Sequence, residues 1–219
     1  MSNLLPHLTL ESGKQPRHAI IWLHGLGADG HDFAPMAEEL RLPVAMRYIL
    51  PHAPRRPITV NGGFVMPGWY DIGHPKLTTQ QDAAGIRASQ AAIEALIAQE
   101  VARGIAASHI FLAGFSQGGA IALHTALRHR PPLAGVLALS TYLPLIETVA
   151  TEACAHSLPI FMAHGRDDTV IPCETGAASK EVLKNLGHTV TWQEYAMAHS
   201  VCTQELRDIE TWLGNHLPD

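Results

Sequence analysis

The chain has 219 residues, 47% of them hydrophobic and 16% charged, with a formal net charge of −5; that suffices for one well-packed core over 1–219 and offers no basic field for nucleic acid. No basic segment followed by a long apolar stretch opens it, and no run reaches the roughly 18 apolar residues of a bilayer span, so a soluble, cytoplasmic protein is expected. Cys154, Cys173 and Cys202 are odd in number with no C-x-x-C pair, and the 14 histidines form no H-E-x-x-H, which favours reduced thiols and no metal.

In chain order, the apolar runs "AIIWLH" (19–24), "AMRYILP" (45–51), "HIFLAGFS" (109–116), "GVLALS" (135–140), "PIFMAHG" (159–165) and "VTWQEYA" (190–196) predict six strands buried on both faces. Helical patterns lie between or after them at 32–40, 82–103, 118–129, 174–187 and 205–217, with Asp32 and Asp82 placed as caps and Gly187 as a terminator. Such alternation predicts an α/β fold with a mainly parallel sheet covered on both sides. Between Pro51 and Thr79 the pattern fails, and the cluster "NGGFVMPGWYDIGHPK" reads as a long functional loop. There is no internal repeat and no low-complexity linker.

Gly114-Phe115-Ser116-Gln117-Gly118 sits where a buried strand turns straight into a helix, the place of a G-x-S-x-G nucleophile elbow. The tight turn leaves no room for side chains two residues either side of the serine, and glycine removes the collision. The helix start points backbone N–H groups, including that of Gln117, beside the serine, where an oxyanion would be stabilised. A second donor is expected from the loop after an early strand: in "HGLGADGHDF", Gly25 and Gly27 let the backbone approach, and the Leu26 N–H can face the same point.

The serine needs a base held by a carboxylate. In a parallel sheet the loops following strands share one edge with the elbow, so His109 and His188, which precede strands, drop out. His24 follows a strand but reads as a brace for its own loop. His199, after the last strand, is the best base. "HGRDDTVIP" offers two acids, Asp167 and Asp168, and the order Ser, Asp, His is that of α/β-hydrolases.

Together "HGLGADGHDF", "GFSQGGA", "STYLP", "HGRDDTVIP" and "MAHSVC" resemble the family of small carboxylesterases, lysophospholipases and acyl-protein thioesterases, and "ALSTYLP" looks most like its bacterial carboxylesterase branch. The resemblance implies an α/β-hydrolase fold without a large cap, no cofactor, and hydrolysis through an acyl-serine, with Ser116 as nucleophile, Asp168 as acid, His199 as base, and Leu26 and Gln117 as oxyanion donors. It also places Phe64, Met66, Trp69 and Leu143 at the acyl site and gives Trp69-Tyr70-Asp71 an anchoring role. The expected substrate is a small or lipid-like ester of short to medium acyl chain, with a lysophospholipid or acyl-protein thioester as the alternative; a homodimer is compatible. A non-catalytic binding protein on the same scaffold is the remote alternative, and the complete triad argues against it.

Overall fold

A computed structural model of the protein describes residues 4–218. Its strands are β1 (His7–Glu11), β2 (His18–Leu23), β3 (Met46–Pro51), β4 (Arg55–Ile58), β5 (Phe64–Pro67), β6 (Ile110–Phe115), β7 (Gly135–Leu139), β8 (Pro159–Gly165) and β9 (Thr189–Tyr195). The α-helices are α1 (Ala34–Glu39), α2 (Ala83–Ala102), α3 (Gln117–Arg128), α4 (Ile146–Glu152), α5 (Cys173–Asn185) and α6 (Thr203–His216).

Seven strands form one sheet in the order β1-β3-β2-β6-β7-β8-β9, parallel except for β1. Alternate residues of β2 show why the central strands read as continuous apolar runs: Ile21 and Leu23 pack with α2 and α3, while Ile20 and Trp22 pack with α1 and α6 on the other face. This is an α/β-hydrolase fold, and among the described residues no large cap covers it.

Five expectations change. The segment after Pro51 is not simply a loop: it folds into the antiparallel hairpin β4–β5, turned at Gly62 and Gly63, whose φ values of 65° and 78° suit glycine. The edge strand β1 and the short helix α4 were absent from the sequence pattern. β9 is not buried on both faces, because it pairs only with β8 and leaves Gln193 and Glu194 exposed. Asp32 does not cap α1: Asp29 caps a preceding 3-10 turn, Gly30–Phe33, by accepting from the His31 N–H at 2.8 Å, and Asp32 lies inside that turn. Asp82 does cap α2, accepting from the Gly85 N–H at 2.8 Å, and Gly187 (φ 87°) follows the end of α5.

Candidate active site

β6 ends in the middle of the sheet and a single residue separates it from α3, so Ser116 occupies the turn with φ 55° and ψ −122°. Its N–H donates to the Leu139 carbonyl at 2.9 Å and its carbonyl accepts from the Thr141 hydroxyl at 2.7 Å. Those bonds hold an unfavourable conformation in place. Serine at a helix start ordinarily turns its hydroxyl onto the first N–H groups; Ser116 makes no such bond, which leaves Oγ free toward the cleft. A Cβ at Gly118 would overlap the Leu23 and His24 carbonyl oxygens, and one at Gly114 would overlap the Gly118 backbone. The glycines therefore let β2, β6 and α3 meet at a point.

Asp168 and His199 leave the same edge after β8 and β9. The Asp168 carboxylate is buried; its Oδ1 accepts the Val170 and Ile171 N–H groups, both at 2.9 Å, and its Oδ2 lies 2.7 Å from His199 Nδ1. Three donors on two oxygens satisfy an ionised carboxylate. His199 thus carries its proton on Nδ1 and keeps Nε2 as an acceptor. Its ring packs at 4.7 Å from that of Phe115, the residue before Ser116. Asp167 points outward and is exposed. His164, buried against Asp168, has Nε2 2.8 Å from the Ile171 carbonyl and 3.4 Å from Asp168 Oδ2. Burial keeps His164 below the ordinary imidazole range.

His24 is engaged at both nitrogens: the Ala53 N–H donates to Nε2 at 3.0 Å, so Nδ1 bears the proton and donates to the Gly25 carbonyl at 2.7 Å. Burial lowers its pKa. It has no free lone pair and braces its loop, as expected. Leu26 stands on that loop at the cleft, and Gln117 opens α3.

The cleft is about 540 Å³ and is lined by Ser116 and His199 together with the apolar side chains of Leu26, Phe33, Met36, Phe115, Val170 and Val201. None of the four residues expected at the acyl site lines it. Phe64 is 66% exposed on the β4–β5 hairpin, beside Met66, whereas Trp69 and Leu143 are in the core. Phe33, Met36, Val170 and Val201 were missed; the only sequence signal was their nearness to the glycine loop, Asp168 and His199. Among the described residues, Asp29, His31 and His52 form a group able to approach a metal ion, but Asp29 and His31 are largely exposed and His52 Nδ1 already accepts the Gly30 N–H.

A strained serine at a strand-to-helix turn in the middle of a mostly parallel sheet, sharing an apolar cleft with the histidine of a histidine–aspartate pair, is the arrangement of a hydrolase of the α/β fold. Residues 6–217 match the phospholipase/carboxylesterase family model, and the chain belongs to that family. It is similar to acyl-protein thioesterase 1 of Gibberella zeae, 40% identical over 99% of this chain and 98% of that protein, and to acyl-protein thioesterase 1 of Neurospora crassa, 40% identical over 97% and 92%. The crystal structure of Arabidopsis thaliana SOBER1 is 32% identical with a TM-score of 0.86, covering 92% of this chain and 99% of that one. The protein is a serine hydrolase with esterase chemistry. These curated relatives are fungal, and they do not single out a bacterial carboxylesterase branch. No helix among the described residues is long and apolar enough to cross a membrane.

Proposed function

We propose that the protein hydrolyses acyl thioesters and esters through an acyl-serine intermediate, residues 1–219 acting as one cytoplasmic domain. His199 Nε2 takes the Ser116 proton as Oγ attacks the acyl carbonyl, and the Leu26 and Gln117 N–H groups hold the oxyanion. The protonated His199 gives its proton to the leaving thiol or alcohol. Water, activated by the same nitrogen, then releases the acid and regenerates Ser116. Asp168 keeps His199 in the productive tautomer and balances the imidazolium charge. No step calls for a metal or cofactor. The observation that carries the reading is the 2.7 Å Asp168–His199 bond at the cleft holding the uncapped, strained Ser116.

The names of the fungal relatives favour a protein-borne acyl thioester over a small free ester, and a cleft open at Val170, itself 57% exposed, leaves room for a bulky leaving group. A fluorophosphonate probe tests the site: it should label Ser116 in the wild type and nothing in Ser116→Ala. A panel of S-acyl peptides and p-nitrophenyl esters graded by chain length tests the substrate. Higher kcat/KM for S-acyl peptides than for esters of the same acyl length supports the thioesterase reading; the reverse order returns the function to a small-ester carboxylesterase.

A further inference from the structure

We infer that Trp69 is a positioning residue for the oxyanion hole, and that residues 67–70 form a bracket setting the separation of its two halves. The inference rests on the roles proposed above for the Leu26 and Gln117 N–H groups. The two donors come from distant parts of the chain, one on the loop after β2 and the other at the start of α3. Within the Leu26 loop the His24 ring braces Gly25 at 2.7 Å, but beyond that point little holds the chain: Gly27 adopts φ 81°, and the local bond from the Ala28 N–H to the Gly25 carbonyl is long at 3.3 Å.

The remaining stiffness comes from 67–70, which grips the loop on both flanks of Leu26. On one side the Trp69 indole N–H donates to the His24 carbonyl at 2.8 Å; on the other the Gly27 N–H donates to the Pro67 carbonyl at 2.9 Å. The same four residues hold Gln117: its Oε1 accepts the Trp69 N–H at 2.8 Å and its Nε2 donates to the Tyr70 carbonyl at 2.7 Å. The bracket lies between the two halves, since a Cβ at Gly68 would stand 3.0 Å from Leu26 Cδ1 and 3.6 Å from Gln117 Oε1. It is anchored from behind, where the Ser89 hydroxyl donates to the Trp69 carbonyl and the Tyr70 and Tyr142 hydroxyls meet at 2.9 Å. Trp69, His24 and Gln117 are all buried, so water does not readily replace a lost bond.

Tetrahedral oxyanions form in both acylation and deacylation, and one well-placed donor is worth about 10²- to 10³-fold in rate. A donor left in place but loosened forfeits part of that in both steps. Substrate binding along the other walls, Phe33, Met36, Val170 and Val201, is untouched.

Trp69→Phe keeps an aromatic ring in the core and deletes the indole N–H together with the volume of the second ring, a cavity whose cost falls on stability and is read separately as Tm. Active sites are counted by titration to completion with a fluorophosphonate, and kcat is expressed per titrated site. The expected result is a kcat about 10- to 100-fold lower with KM within about twofold, and a matching loss of affinity for an alkyl boronic acid, whose tetrahedral adduct places an oxygen in the hole. If Trp69 serves only stability, fewer sites titrate or Tm falls while kcat per site is unchanged, and the inference is overturned. Should Trp69→Phe not fold, Gln117→Met carries the test: it removes both side-chain bonds and keeps the backbone N–H, and an unchanged kcat per site again overturns the bracket. Failure of the probe to label wild-type Ser116 would instead reject the underlying reaction.

Discussion

Asp168→Asn replaces one oxygen by an amide nitrogen, and the surroundings dictate which. The Val170 and Ile171 N–H groups both address Oδ1, so the amide oxygen must stay there and the NH₂ must face His199. Two donors cannot meet, and His199 is driven to the tautomer with its proton on Nε2, where it can no longer accept the Ser116 proton. The second amide hydrogen turns toward His164 Nε2, 3.4 Å from the replaced oxygen and itself donating to the Ile171 carbonyl, so relief from that side is blocked. The volume is unchanged and both backbone bonds survive, so folding is preserved. The loss in kcat should be about 10³- to 10⁴-fold, the scale of a wrong tautomer at a catalytic histidine. Asp167→Asn should cost less than about tenfold, because its side chain is exposed to solvent. Initial rates on a medium-chain p-nitrophenyl ester, normalised to folded protein by circular dichroism, decide the matter. A reversed order, or an Asp168→Asn enzyme within tenfold of wild type, would refute the assignment of the acid.

Ser116→Ala should lower ester hydrolysis by about 10³-fold or more while leaving the urea midpoint near that of wild type, because the hydroxyl makes no cap. Gly118→Ala should fail to give soluble folded protein on expression, since the methyl overlaps two carbonyls of the β2 exit; a folded, active variant would show that α3 can slide. His124, fully buried with neither ring nitrogen hydrogen-bonded, has its pKa lowered to about 3, chiefly by burial and then by Arg128. Folding therefore requires it neutral: its contribution is complete above the unfolded value near 6.5 and is lost as pH falls toward 3. Between pH 7 and pH 5 that amounts to about 2 kcal/mol, and urea unfolding of His124→Leu should show a pH loss smaller by about this amount; an equal loss would reject the assignment. Glu205, buried in the first turn of α6 with its pKa raised to about 8 mainly by desolvation, acts in the opposite direction. Its contribution is complete below about 4.5 and drains away as pH rises through 8, so Glu205→Gln should raise Tm relative to wild type at pH 9 more than at pH 5.

The strands at the centre of the sheet were legible because burial on both faces writes itself as an unbroken apolar run, as in β2 and β6. The periphery was not. β1 is five residues in which polar and apolar side chains mix, the β4–β5 hairpin carries Pro57 and Pro67 where a strand reading stops, and α4 is seven residues entered through Leu145 at φ 49°. The positions of Ser116, His199 and an acid at 167–168 were readable from local turn chemistry, since each follows a strand on one edge, whereas the choice of Asp168 over Asp167 came only from the family resemblance. The cleft walls were not readable, because which apolar side chains face the serine depends on how separate loops lean over it. Phe64 and Trp69 sit five residues apart in "FVMPGW", yet one projects into solvent and the other is sealed in the core.

The cleft has an uneven geography. Most of its apolar walls stand next to a group proposed to react: Phe115 precedes Ser116, Val170 is two residues beyond Asp168, Val201 is two beyond His199, and Leu26 is itself a proposed donor. Reshaping any of these to admit a different acyl chain also shifts the chemistry beside it. Phe33 and Met36 are different, since they rise from the 3-10 turn and α1, neither of which supplies a reacting group. Selectivity can drift there at little catalytic risk, so chain-length preference among related enzymes, or in a laboratory selection, should be written first in those two side chains.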